Sequence, residues 1–166
     1  GYPQILPGDA VDSKHFVLGS PSTPPADADG DGLPDAWEAS NGLNSSDPAD
    51  ALSDADGDTI DNRLEHALGS DPRSRSTPGL PVQGKVQIGQ TDYATFQFTR
   101  LKGLTGSTLI PEISATLGSN DWHSGAADIA TVSVTDQGLN EVVILRDTQP
   151  LASRTRLYFR LRLTVP

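Results

Sequence analysis

The sequence predicts two unlike units: a small α-helical module built on acidic loops, followed by an all-β antiparallel sandwich. Three observations predict this. Acids crowd into residues 27–72, which hold 13 of the 22 carboxylates and a single base, Arg63, for a net charge of −12. Within that stretch an acidic pattern recurs at an offset of 27 residues. Beyond residue 82, apolar and polar residues alternate with period two, the pattern of half-buried strands.

Taken in order, residues 1–26 open with a short apolar patch, Phe16-Val17-Leu18. They end in Ser20-Pro21-Ser22-Thr23-Pro24-Pro25, which reads as a stiff linker or the end of a preceding domain.

The acidic stretch, 27–72, is a tandem repeat. The first copy runs Asp27-Ala28-Asp29-Gly30-Asp31-Gly32-Leu33-Pro34-Asp35-Ala36-Trp37-Glu38. The second runs Asp54-Ala55-Asp56-Gly57-Asp58-Thr59-Ile60-Asp61-Asn62-Arg63-Leu64-Glu65. Both put carboxylates at positions 1, 3, 5 and 12 and Asp35 or Asn62 at position 9. An EF-hand loop uses this spacing, with a backbone carbonyl at position 7, here Leu33 and Ile60. Calcium takes six to eight hard oxygens at about 2.3–2.6 Å, and alternate residues of a tightly turned loop aim oxygens inward. The expected metal ligands are therefore Asp27, Asp29, Asp31, Leu33, Asp35 and Glu38, then Asp54, Asp56, Asp58, Ile60, Asn62 and Glu65, for two calcium ions. Thr59 stands at position 6, where the first copy has Gly32; a β-branched residue is unfavourable in left-handed backbone, which predicts a second loop that turns differently or binds more weakly. Each loop runs into a short helix: Pro34 starts the first and Asn41-Gly42 stops it, while Asn62–Leu68 is the second and Gly69 stops it. Asp47, Asp50, Asp61 and Asp71 read as turn and cap residues, with Asp47 or Asp71 as the alternative source of a ligand.

A second linker is expected at 73–81, and the sandwich at 82–166. Strands are expected at Gly84–Ile88, Tyr93–Arg100, Thr108–Thr116, Ile129–Val134, Glu141–Arg146 and Arg156–Val165. In the second, Ala94, Phe96 and Phe98 share a face; in the last, Leu157, Phe159, Leu161 and Leu163 do.

Composition excludes several classes. The chain has no cysteine, so no disulfide, thiolate metal site or cysteine nucleophile exists. Its longest apolar run, Val142–Leu145, is far short of the roughly 20 residues a membrane helix needs. A segment at −12 repels nucleic acid. No signal peptide opens the chain, and without methionine it reads as a processed protein or a piece of a larger one. His15, His66 and His123 lie in different zones and form no catalytic pattern; His66 is expected on a helix surface. No nucleophile elbow or carboxylate dyad appears, so no enzyme activity is expected.

Residues 27–72 resemble the thrombospondin type 3-like calcium repeats of secreted bacterial proteins, through Asp29-Gly30-Asp31-Gly32-Leu33-Pro34-Asp35-Ala36-Trp37-Glu38 and the later Gly69-Ser70-Asp71-Pro72. They are also similar to dockerin modules, which carry two loop-plus-helix calcium repeats. The first resemblance implies structural calcium sites, a secreted or cell-surface location and a spacer or adhesion role. The sandwich resembles tail domains that follow such repeats. The expected function is thus a calcium-binding structural or adhesive module of a larger protein. Two alternatives stand beside it. One is a carbohydrate-binding module for an extracellular polysaccharide, using Trp122 or the Arg156-Tyr158-Arg160-Arg162 face. The other is a dockerin-like module for a surface protein.

Overall fold

Period-two alternation becomes six antiparallel strands, and helix α2 of the second repeat packs on the core they enclose. The computed structural model describes residues 24–75 and 79–165. The apolar patch, His15 and most of the Pro-rich run lie outside these residues. Helix α1 spans Asp35–Asn41 and α2 spans Asn62–Leu68. The strands are β1 Val82–Ile88, β2 Thr91–Leu101, β3 Thr108–Ser114, β4 Ile129–Gln137, β5 Asn140–Asp147 and β6 Tyr158–Thr164. Four strands form one sheet in the order β1-β2-β5-β4, and β3 pairs with β6 in a second. The described chain is therefore β-rich, with only two short α-helices.

The expected strands all form, with shifted ends. β4 continues past Val134 to Gln137 because it pairs with β5 down to a tight turn at Gly138, where φ is 90°. It also carries a bulge between Thr131 and Ser133. β6 starts at Tyr158 rather than Arg156, since its pairing with β3 ends at Ser114↔Tyr158.

Alternation chose the buried face correctly. Phe96 is fully buried, and its ring lies 5.5 Å from Phe98 and 4.5 Å from Phe159 of the other sheet. Leu157, Leu161 and Leu163 pack on the same cluster with Leu109, Ile113, Ile129, Val143 and Leu145. Burying a side chain of this size stabilises by about 1.5–3 kcal/mol. Ala67 and Leu68 of α2 belong to this cluster too, so the second repeat and the sheets share one core.

The outward face of β6 gains partners that spacing did not name. Arg160 and Arg162 both reach Glu112, at 2.7 and 3.0 Å. Burial would raise the Glu112 pKa, but those two hydrogen bonds outweigh it and hold it below the usual range. The Arg160 guanidinium also lies 4.0 Å from the centroid of the Trp122 ring, covering it. Arg160 and Arg162 thus pair with Glu112 and, for Arg160, Trp122, while their side chains remain 41% and 44% exposed.

Candidate metal centre

Each acidic loop is built by its own carboxylates. In the first, Asp27 accepts from the Gly30 and Gly32 amides at 2.8 and 3.1 Å. Asp29 accepts from Asp31 N–H and Asp31 from Leu33 N–H. The second repeats this at the same offset: Asp54 accepts from Gly57 and Thr59, Asp56 from Asp58, and Asp58 from Ile60. Short polar side chains that bond their own backbone two to five residues on favour such turns. The Thr59 turn is strained rather than altered: its φ is 81°, beside 95° at Gly32. Left-handed backbone at a β-branched residue costs about 1–3 kcal/mol. Thr59→Asn, which tolerates this region, is expected to stabilise the protein by about 0.5–1 kcal/mol in thermal unfolding. An unchanged or lower melting temperature would show that Thr59 bears no strain.

The helices begin and end as the sequence indicated. Pro34 is the residue before α1, extended at φ −70°, and Asp61 caps α2 by accepting from Leu64 N–H at 2.8 Å. Gly42 and Gly69 close the helices in left-handed backbone, φ 66° and 71°. The helices carry the position-12 acids inward: Glu38 is fully buried and Glu65 is 1% exposed.

Three groups of acids present ligand oxygens within 4.8 Å of one another: Asp27-Asp29-Asp31, Asp54-Asp56-Asp58, and Asp31-Glu38-Asp50. These clusters can hold metal ions. The fit is tested by their unused oxygens. Asp29, Asp31, Asp56 and Asp58 each keep Oδ2 buried with no hydrogen-bond partner among the described residues. Both carboxylate oxygens of Glu38 and Oε2 of Glu65 are orphaned likewise. Buried polar groups are almost always paired, and an unpaired buried charge is costlier still. Burial first, then Asp31, Asp29 and Asp50, pushes the Glu38 pKa up to about 7. Burial, then Asp56 and Asp58, raises Glu65 to about 7.

The expected ligands do not all converge. Asp35 bends back to accept from Ala28 N–H at 2.7 Å instead of joining a cluster. Asn62 is buried and donates to the Asp50 carbonyl at 2.7 Å, leaving Oδ1 without a partner. Leu33 is buried and Ile60 half-buried at the two position-7 turns. Asp47 and Asp71 cap turns, accepting from Ala49 and Arg73, and Asp50 joins the acids in place of Asp47. Asp50 was missed because it lies 12 residues beyond Glu38, outside the loop spacing. His66 is corrected too: it is 4% exposed, with Trp37 edge-on to it at 4.9 Å, and burial lowers its pKa to about 4. The Trp37 ring of α1 lies over it. No protein-family model, curated protein or solved structure matches the chain.

Proposed function

We propose that residues 27–72 are a tandem calcium-binding module that serves as a structural or adhesive unit of a secreted or cell-surface protein. One observation carries this reading: the same carboxylate oxygens, at matching positions of two loops, are buried and unpaired. A divalent cation is the group that such oxygens lack. Calcium suits them better than magnesium, since the loops offer many carboxylates in a flexible turn rather than a strict octahedron with retained waters. Asp27, Asp29 and Asp31 would hold it in the first repeat and Asp54, Asp56 and Asp58 in the second, with the buried acids Glu38 and Glu65 carried beside them by the helices. The chain's own part is to fix those acids on two turned loops and the short helices that follow them, and to bury α2 against the sheets, which we read as a β-sandwich. Filling the sites would offset the charge of the acidic stretch and lock the repeats to the sandwich. The resemblance to thrombospondin type 3-like repeats agrees with an extracellular setting, where modules of this kind bind calcium at about 10⁻⁴–10⁻³ M.

The test is titration calorimetry of chelator-stripped protein, with magnesium as control. We expect at least two calcium equivalents and weaker magnesium binding. At calcium 100-fold above the dissociation constant each site adds about 2.7 kcal/mol. That corresponds to a melting-temperature rise of about 5–10 °C per site for a domain of this size. No heat and no shift would reduce the acidic stretch to a charged connector.

A further inference from the structure

We propose that Asp31, Glu38 and Asp50 form a second divalent-cation pocket in the first repeat, sharing Asp31 with the one its loop carboxylates make, and that the second repeat lacks it. The proposal rests on the reading of the loops as cation sites and extends it to a residue outside them.

The three acids come from three places: the loop, helix α1 and the turn between the repeats. Their ligand oxygens lie within 4.8 Å of one another, a spacing that oxygens at about 2.3–2.6 Å from one ion satisfy. Glu38 joins this group and not the one formed by Asp27, Asp29 and Asp31. The pocket is buried: Glu38 is fully buried with neither oxygen partnered among the described residues, and Asp31 is 6% exposed. Asp50 is held in place by its other oxygen, Oδ2, which accepts from Asn44 N–H at 2.7 Å. That leaves Oδ1 buried and unpartnered among the described residues. Among the described residues no base pairs with the group: Arg63, the one base of residues 27–72, donates to the Asp31 backbone carbonyl instead. Together with Asp27 and Asp29 the first repeat gathers five carboxylates. One divalent cation would leave a formal charge of about −3 there, and two would leave about −1, which favours double occupancy.

The second repeat offers the internal comparison. The turns after the two helices are built alike. Asp47 N-terminal to Asp50 and Asp71 N-terminal to Ser74 each accept, through their carbonyls, an amide three residues on, both at 3.1 Å. Their side chains accept from Ala49 and Arg73. Counted from these two aspartates, Ser74 stands in the second turn where Asp50 stands in the first, and a neutral hydroxyl cannot replace a carboxylate. The asymmetry has a consequence. The Asp50 carbonyl holds Asn62, the first residue of α2, so a cation on Asp50 would brace the element that opens the second helix.

The experiment counts calcium on the full chain by equilibrium dialysis and by native mass spectrometry, with calcium alone as the probe. Wild type is expected to take three ions and Asp50→Ser two, the serine being what the second turn already carries. Asp50→Asn, which retains the contact to Asn44, is expected to match it and guards against loss of fold in the first variant. Two ions in wild type and two in both variants would overturn the extra pocket while leaving the loop reading intact. Three ions in all proteins, or a fall from two to one, would also overturn it. No ion bound to wild type would overturn the loop reading and this pocket with it.

Discussion

Glu38→Gln is expected to act with opposite signs in the presence and absence of calcium. With calcium, it removes a carboxylate that points into the acidic cluster from α1, and affinity in the first repeat should fall at least about tenfold, or about 1.4 kcal/mol. Without metal, the same change removes a buried charge that nothing pairs, at nearly constant shape. The pH dependence follows from the raised pKa. Glu38 titrates near about 7 when folded and near 4.5 when exposed. Its neutral form is the one the fold tolerates, so the stability it allows is full below 4.5 and lost as pH rises through about 7. The glutamine variant, with nothing to ionise, escapes that loss. In chelator it should melt with wild type near pH 4 and above it near about pH 8.5. Melting curves at both pH values, with and without calcium, check this. A variant that melts lower than wild type in chelator at the higher pH would mark Glu38 as a structural hydrogen-bonding group; unchanged calcium affinity would remove it as a ligand.

Leu68→Ala is expected to destabilise the sheets as well as the helix that carries it. Leu68 is 2% exposed and sits in the cluster formed by Phe96, Phe98, Ile113 and Val143. Truncating a buried leucine costs about 2–5 kcal/mol, through lost transfer energy and the cavity left behind. The same helix carries Asn62 and Glu65, so core packing and the second acidic loop are joined through seven residues. Urea unfolding followed by tryptophan fluorescence and by far-ultraviolet dichroism should give one coincident transition, shifted down by that amount. Calcium should recover part of the loss, since a ligand that binds only the folded state adds stability by mass action. Two separate transitions, with the strand signal at its wild-type midpoint, would show that α2 merely touches the sheets.

Much of this architecture is legible in residue spacing because the forces that set it are local. An aspartate that accepts an amide two residues on needs no distant partner, so both loops are readable from Asp27–Asp31 and Asp54–Asp58. Helix stops at Gly42 and Gly69 are equally local, as is the alternation that placed Phe96, Phe98 and Phe159 inward. The unmatched expectations share a different origin. His66 has no core-facing periodicity in a helix of seven residues, because α2 is covered by the first repeat and by the sheets together. Arg160 and Arg162 do face outward as they alternate, but β3 delivers Glu112 beneath them, a partner that spacing could not name.

The sequence by itself determined the acid spacing, the two loop–helix units, the strand alternation and the exclusion of thiol chemistry. Each of these follows from contacts a few residues apart or from composition alone. Only the tertiary structure decided that α2 shares the sheet core, that Arg160 covers Trp122, and that Asp50 rather than Asp47 faces Glu38. Those outcomes depend on how separate elements dock. Docking is set by shape and burial summed over the whole core, and no single stretch of residues encodes it.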